Sequence, residues 1–152
     1  MRTVDGHREV TVNYSRISSE ELCFSLAVLV SERSTCPRLH VGAVIVDPDG
    51  RIISTGYNGA PRGLPHCTDI GCLVEEATGR CKRTVHAEVN AILNARVSVI
   101  GCTLYCTHHP CTECLPIIHN AGIAHVRYDT MYNGVIKSEL MMVMDIQRYV
   151  RV

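Results

Sequence analysis

Apolar positions recur along the chain with two different periods. Ser18-Ser19-Glu20-Glu21 has the form of a helix-capping box. Leu22, Ser25, Leu26, Leu29 and Val30 then follow at helical spacing, which predicts a helix over 19–33. It ends at Ser34-Thr35-Cys36-Pro37, because proline disfavours helix at the residue before it. Val41-Gly-Ala-Val-Ile-Val46 is rich in branched residues and reads as a strand. Asp47-Pro-Asp-Gly50 reads as a turn and Arg51–Thr55 as the return strand of a hairpin. No clear period runs from Gly56 to Thr84. A loop that long is usually functional, or tied down by something other than a core.

The alternation then resumes. Val85–Asn94 reads as a helix and Cys102–Thr107, after Gly101, as a strand. A helix opens at Pro110 and runs to Asn120, closed by Ala121-Gly122. His125–Tyr128 is another strand, 135–144 is helical by composition, and 146–152 is a last strand. Residues 1–16 are polar and aperiodic and read as an irregular lead-in. The expected architecture is one α/β domain over 1–152: a mixed sheet of about five strands, opening with an antiparallel pair and flanked by helices.

Charge narrows the function. Lys+Arg and Asp+Glu number 15 each in 152 residues, so the formal charge is zero. Polynucleotide-binding surfaces usually show a basic excess, so a small-molecule substrate is the better fit and no nucleic-acid partner is expected. No run of about 18 apolar residues exists, so no membrane span is expected. The apolar run at 22–30 follows two glutamates and lies too far in for a secretory signal. A cytoplasmic location is the default expectation.

Nine cysteines without an export signal point to metal binding or free thiols rather than a disulfide framework. Cys23, Cys102 and Cys106 sit within apolar stretches and are expected in the core. Cys36, Cys67, Cys72 and Cys81 are left over, and they offer a tie for the 56–84 loop.

The chemistry gathers in two short pieces, His86-Ala87-Glu88 and Pro110-Cys111-Thr112-Glu113-Cys114. One imidazole and two thiolates, with a fourth position open, describe a catalytic zinc site rather than a structural one. Cys111 and Cys114 are three apart on the expected helix and so share a face. Both pieces lie where helices begin, and the partial positive charge there favours thiolates. Zinc brings the pKa of a bound water to roughly 7. Glu88, two residues past His86, is placed to handle that water's protons. The order His-x-Glu…Pro-Cys-x-x-Cys is a signature of zinc-dependent nucleobase deaminases.

His86-Ala-Glu-Val-Asn-Ala-Ile92, Pro110–Cys114 and Asn120-Ala-Gly-Ile123 resemble the cytidine and deoxycytidylate deaminase family. Val41-Gly-Ala-Val-Ile45 and Gly56-Tyr-Asn-Gly-Ala-Pro-Arg-Gly63 resemble its deoxycytidylate (dCMP) deaminase branch, in the bacterial and phage form. The likeness runs from about Ser31 to Tyr128. The Gly-Tyr-Asn-Gly-x-Pro stretch is its most discriminating part, because tRNA adenosine deaminases and free cytidine deaminases lack it.

That resemblance implies a three-layer αβα fold and hydrolysis of dCMP to dUMP, the thymidylate precursor. It implies a catalytic zinc on His86, Cys111 and Cys114, with Glu88 as proton shuttle. Asn58 would bind the deoxyribose. Arg33, Arg38 and Arg62 are the candidates for the 5′-phosphate, since guanidinium suits phosphate. The phage form implies a second, structural zinc, for which Cys36, Cys67, Cys72 and Cys81 lie in the right regions and His66 is a possible substitute.

The branch also implies a homohexamer activated by dCTP and inhibited by dTTP, with Mg2+ accompanying the triphosphates. The effector loop would then comprise Gly56, Tyr57, Asn58, Gly59, Arg62 and Gly63. His109 departs from the family, whose members usually carry an apolar or aromatic residue there, and it is expected in the substrate pocket. Other readings are a deaminase of dCTP or of 5-modified dCMP, and a non-catalytic zinc or nucleotide-binding module. The intact Glu88 argues against the last.

Overall fold

A computed structural model describes residues 15–131 and 139–150. Its elements are α1 (Ser19–Ser31), β1 (Gly42–Val46), β2 (Ile52–Tyr57), α2 (Cys67–Ile70), α3 (Ala87–Asn94), β3 (Thr103–His108), α4 (Cys114–Asn120), β4 (His125–Thr130), α5 (Leu140–Val143) and β5 (Asp145–Arg148). The five strands form one sheet in the order β2-β1-β3-β4-β5. β1 pairs antiparallel with both β2 and β3, whereas β3–β4 and β4–β5 are parallel. The expected mixed sheet with its opening antiparallel pair is what forms.

Side-chain alternation divides the core into two layers. Ala43 and Ile45 of β1 and Leu104 and Cys106 of β3 face α3 and α4, packing with Ala87, Ala91, Cys114 and Ile118. Val44, Val46 and Tyr105 point the other way, onto Cys23, Leu26 and Ala27 of α1. Cys23, Cys102 and Cys106 are all buried, as expected for core cysteines. β1 is buried along its whole length, which explains its unbroken run of branched residues.

α1 starts as its sequence suggests, with Ser18 Oγ accepting a hydrogen bond from the Glu21 amide at 3.0 Å. The buried face is different from the one that the Leu22–Val30 spacing marks. Cys23, Phe24, Ala27 and Ser31 are buried, while Leu22 and Leu29 are 48% and 67% exposed. The reason is distance: a Cβ on Gly42 of β1 would overlap the Ala27 carbonyl. A helix that close to the sheet must dock by its small residues, and the leucines turn outward.

Several boundaries also differ. β2 runs on to Tyr57, two residues past the expected end, because Gly56 and Tyr57 still pair with Ala43 and Gly42. The stretch after it contains the short helix α2 and two isolated bridges, Gly59–Val85 and Val74–Cys81. α4 begins at Cys114 rather than Pro110, and Thr112-Glu113 form a turn before it. The last expected helix is present over Leu140–Val143, without 139 and 144, and the last expected strand begins one residue early, at Asp145, and ends at Arg148, before 149–150; 135–138 and 151–152 lie outside the described residues, as does most of the expected lead-in.

The β4–β5 edge carries an ion-pair cluster. Asp145 Oδ2 accepts from His125 Nδ1 at 2.6 Å and from Arg127 Nη2 at 3.0 Å, across the register pair His125–Asp145. Those two donors, His125 first, lower the Asp145 carboxyl to about 2. A depressed carboxylate contributes stability above its unfolded pKa of about 4, and that contribution is lost as pH falls toward 2. Asp145 is one-third exposed, so the pair is worth no more than about 1 kcal/mol. Asp145→Asn should therefore unfold at lower urea than the parent at pH 7 and at the same urea at pH 2. A gap that persists at pH 2 would rule out the carboxylate as its source.

Candidate active site and metal centre

α3 is placed by contacts along one edge of the sheet. A Cβ on Gly56 would overlap the Ala87 carbonyl and the Ala91 amide, so helix and strand meet backbone to backbone. Asn90 Nδ2 donates to the Tyr57 carbonyl at 2.8 Å and Asn94 Nδ2 to the Thr55 carbonyl at 2.9 Å. His86 occupies the N-cap position, in extended conformation, and Glu88 lies in the first turn. Parallel pairing of β3 with β4 brings the chain after β3 past this helix start. The Cys114 and Leu115 amides fold back onto the Cys111 carbonyl at 3.0 and 3.1 Å, so the turn, not a helix face, sets Cys111 beside Cys114.

His86 Nδ1 then lies 3.2 Å from Cys114 Sγ and 3.3 Å from Cys111 Sγ. All three ligand atoms are within 4.8 Å of one another. Around a tetrahedral zinc, neighbouring N and S ligands sit about 3.6 Å apart, so the donor set and its spacing fit that ion. Three ligands would leave one tetrahedral position open, and Glu88 lines the same cleft as His86 and Cys111.

That cleft has a volume of about 290 Å³, and its wall includes Arg38, Asn58, Arg80, His86, Glu88, His108, His109 and Cys111. Glu88 is 4% exposed, and burial raises its carboxyl above the ordinary range. Cys111 is lowered, chiefly by Cys114 and also by His86, while Cys114 is raised by sharing with Cys111; the pair holds one thiolate tightly.

The four remaining cysteines also converge. The Cys36, Cys67 and Cys72 sulfurs lie within 4.8 Å of one another, and Cys81 Sγ is 3.6 Å from Cys67 Sγ. Burial, then hydrogen bonding to Cys81 and Cys72, pushes the Cys67 thiol up to about 12. Burial also acts on Cys81, but the Arg83 amide, Cys67 and the Leu73 amide outweigh it and lower that thiol. A paired turn delivers Cys72 and Cys81, with the Glu75 amide donating to the Arg80 carbonyl and the Lys82 amide to the Leu73 carbonyl, both at 2.8 Å. Four sulfurs with no open position have the donor chemistry of a structural zinc site. His66 stays outside it, exposed, as the N-cap of α2.

Several expected site residues have other tasks. Asn58 lines the cleft, and its side chain also ties the chain together, with one N–H and one lone pair left over. Oδ1 accepts from the Val41 amide at 2.8 Å and Nδ2 donates to the Leu39 carbonyl at 2.7 Å. Gly56 is buried under α3 and not available as an effector contact. The Gly59 amide donates to the Val85 carbonyl at 3.1 Å, so it is not free for a phosphate. Arg33 and Arg62 are exposed and lie outside the cleft wall, which Arg38 joins. Tyr57 is half-buried at the end of β2, and Gly63 is exposed beside Arg62.

His109 is in the cleft wall, 3% exposed. Its Nδ1 donates to the Pro110 carbonyl at 2.7 Å, so the proton sits there, and burial lowers its pKa and keeps the ring neutral. Nε2 is buried without a partner among the described residues. The ring packs edge-to-face with Tyr128, centroids 4.7 Å apart, and serves as an aromatic filler. Sequence reasoning missed Arg80, Thr84 and His108, which also line the cleft. Arg80 carried one signal: it directly precedes Cys81.

The sequence model of the cytidine and deoxycytidylate deaminase zinc-binding region matches residues 17–130. "ComE operon protein 2" of Bacillus subtilis is 46% identical over 120 residues, covering 77% of this chain and 62% of that protein. The deoxycytidylate deaminase of Mycobacterium phage D29 is 39% identical over 125 residues, covering 75% of this chain and 96% of that one. The crystal structure of dCMP deaminase from the cyanophage S-TIM5, in complex with dCMP and dUMP, superposes with a TM-score of 0.73 at 29% identity. It covers 90% of this chain and all of that one. The chain spans less than two thirds of the Bacillus protein and under half of two yeast deoxycytidylate deaminases, 40% and 44% of their lengths.

Proposed function

The chain belongs to the cytidine and deoxycytidylate deaminase family, and we propose that it hydrolyses the 4-amino group of dCMP, releasing dUMP and ammonia. The observation that carries this reading is the meeting of the buried Glu88 with His86, Cys111 and Cys114 in one cleft. His86, Cys111 and Cys114 would hold zinc, which supplies, when bound, the Lewis acidity that makes water nucleophilic near neutral pH. Glu88 takes a proton from the attacking water and passes it to ring N3. As the water oxygen bonds C4 and the C4–N4 bond breaks, Glu88 hands the second proton to the departing ammonia. Burial raises the Glu88 carboxyl, which favours its acid form relative to an exposed glutamate and suits a group that must donate as well as accept. The closed cysteine set of Cys36, Cys67, Cys72 and Cys81 supports a second zinc that ties down the 56–84 loop.

Regulation belongs to the same proposal. dCTP with Mg2+ would activate the enzyme and dTTP inhibit it, in a homohexamer. The exposed turn at Arg62 and Gly63 supports an effector contact there, and the exposed Leu22 and Leu29 of α1 support an apolar face that another copy covers.

Four outcomes are expected. Ammonia release should be greatest with dCMP among dCMP, CMP, dCTP, deoxycytidine and 5-methyl-dCMP. Glu88→Gln should keep its metal and lose nearly all turnover; residual activity within about tenfold of the parent, about 1.4 kcal/mol in barrier, would remove Glu88 from this role.

Metal analysis should return two zinc ions per chain in the parent and one in His86→Ala. Cys67→Ser should lose the other ion and melt at lower temperature, because metal binding is coupled to folding. A fully active sample with a single zinc would leave the four cysteines as free thiols.

Saturation with dCMP should become hyperbolic with dCTP and more sigmoidal with dTTP, for a species sedimenting as a hexamer. Curves unmoved by either triphosphate would mean an unregulated enzyme.

A further inference from the structure

The turn that carries Cys111 and Cys114 closes on itself through the Cys114 and Leu115 amides, which donate to the Cys111 carbonyl. Glu113 lies within it, at the N-cap of α4, and its side chain makes no capping hydrogen bond. The carboxylate reaches across to the cysteine loop instead. Glu113 Oε1 is 3.4 Å from Lys82 Nζ and 3.7 Å from Arg80 Nη1. Those two cations flank Cys81 in the chain. Side chains alternate along a bridged segment, so Cys81 Sγ meets Cys67 Sγ at 3.6 Å while the residues on either side of it reach Glu113. Lys82 is shared with Glu75 Oε2 at 3.3 Å, and the Thr78 hydroxyl donates to that same oxygen at 2.6 Å. Charge thus alternates in sign through Glu75, Lys82, Glu113 and Arg80.

Among the described residues, the two pairs at Glu113 are the only hydrogen bonds or ion pairs that join 60–84 to 110–120. An exposed pair by itself contributes little to stability, and a network contributes more. Here the shared partner stands between two metal donors, so the effect falls on their spacing. Groups that orient ligands tune a metal site without touching the metal.

We propose that Glu113 is a positioning residue that ties the His86–Cys111–Cys114 site to the four-cysteine cluster, through Lys82 and Arg80, and so makes the two metal sites depend on each other. The inference rests on the two zinc sites proposed above. An ion in the cysteine cluster fixes Cys81, which holds Arg80 and Lys82 in place, and these hold the turn that presents Cys111 and Cys114. The cluster then serves zinc retention at the reacting centre as well as the order of the loop.

The test follows zinc released to a chromogenic chelator from the parent, Glu113→Gln, Lys82→Gln, the variant carrying both changes, and Arg51→Gln. The phase missing from His86→Ala belongs to the catalytic site. Lys82 is changed rather than Arg80 because Arg80 lines the cleft and Lys82 does not. Glu113→Gln should speed the catalytic-site phase about three- to tenfold, and Lys82→Gln should do so in part. The variant with both changes should release zinc no faster than Glu113→Gln, because one link is broken in each. At about 1 M salt, where the screening length is about 3 Å, the parent should approach Glu113→Gln, which itself should change little. Arg51→Gln removes exposed pairs with Asp47 and Asp49 and should match the parent. If the catalytic-site phase of Glu113→Gln equals that of the parent, the tie is overturned while the two-zinc reading stands. It is also overturned if the two changes act additively, or if Arg51→Gln accelerates release as much. A parent that yields no phase missing from His86→Ala, or only one zinc, defeats the two-zinc reading and the tie with it.

Discussion

Everything at the site depends on how closely α3 lies on β2. Gly56 has no Cβ, and the helix backbone at Ala87 and Ala91 occupies that space. Asn90 and Asn94 bind the helix to the β2 carbonyls and set its rotation. His86 thereby meets the turn that follows β3, with Nδ1 3.2 Å from Cys114 Sγ and 3.3 Å from Cys111 Sγ. The same device works on the other face, where Gly42 lets α1 approach at Ala27. Two close approaches flank one fully buried strand, and the site hangs from the side where the helix begins over the sheet.

The second constraint is the cysteine cluster. The stretch between β2 and α3 buries little and has only a four-residue helix and two isolated bridges of its own. Such a segment lacks the apolar area to order itself. Sulfurs from residues 36, 67, 72 and 81 meet instead, and they draw the loop against the segment that follows α1. That brings Arg80 and Thr84 into the cleft wall. Asn58 does related work from beneath, joining residues 39 and 41 through its side chain and Ser34 and Thr35 through its carbonyl. It also lines the cleft wall.

Much of this was legible in the residues. The two ligand pieces, the core cysteines, the opening hairpin and the alternating helices and strands follow from period, turn chemistry and donor identity, all of which are local. The grouping of four leftover cysteines was legible as a need: a loop without a core and four thiols that neither the core nor the first donor set takes up. Arg80 was not, because its one local mark, the Cys81 that follows it, does not say that the side chain reaches the cleft. The buried face of α1 was misread for a related reason. Spacing reports where apolar residues recur, whereas the sheet selected the face by how small it was.

The sequence by itself determined the donor chemistry: which imidazole and thiols are spaced as metal donors, which carboxyl lies beside them, and which strands and helices alternate to hold them. Those are properties of residue type and of spacing along the chain, and they need no partner from far away. Tertiary structure decided which of the polar residues reach the cleft. It assigned Gly56 to packing, committed the Gly59 amide to the backbone, gave the Asn58 side chain a tie to the backbone, left Arg33 and Arg62 outside the cleft, and brought Arg38 and Arg80 into it. The physical reason is that a side chain's role at a cleft depends on long-range distances, set by how closely helices approach the sheet and where the sulfurs meet, and no local pattern encodes those.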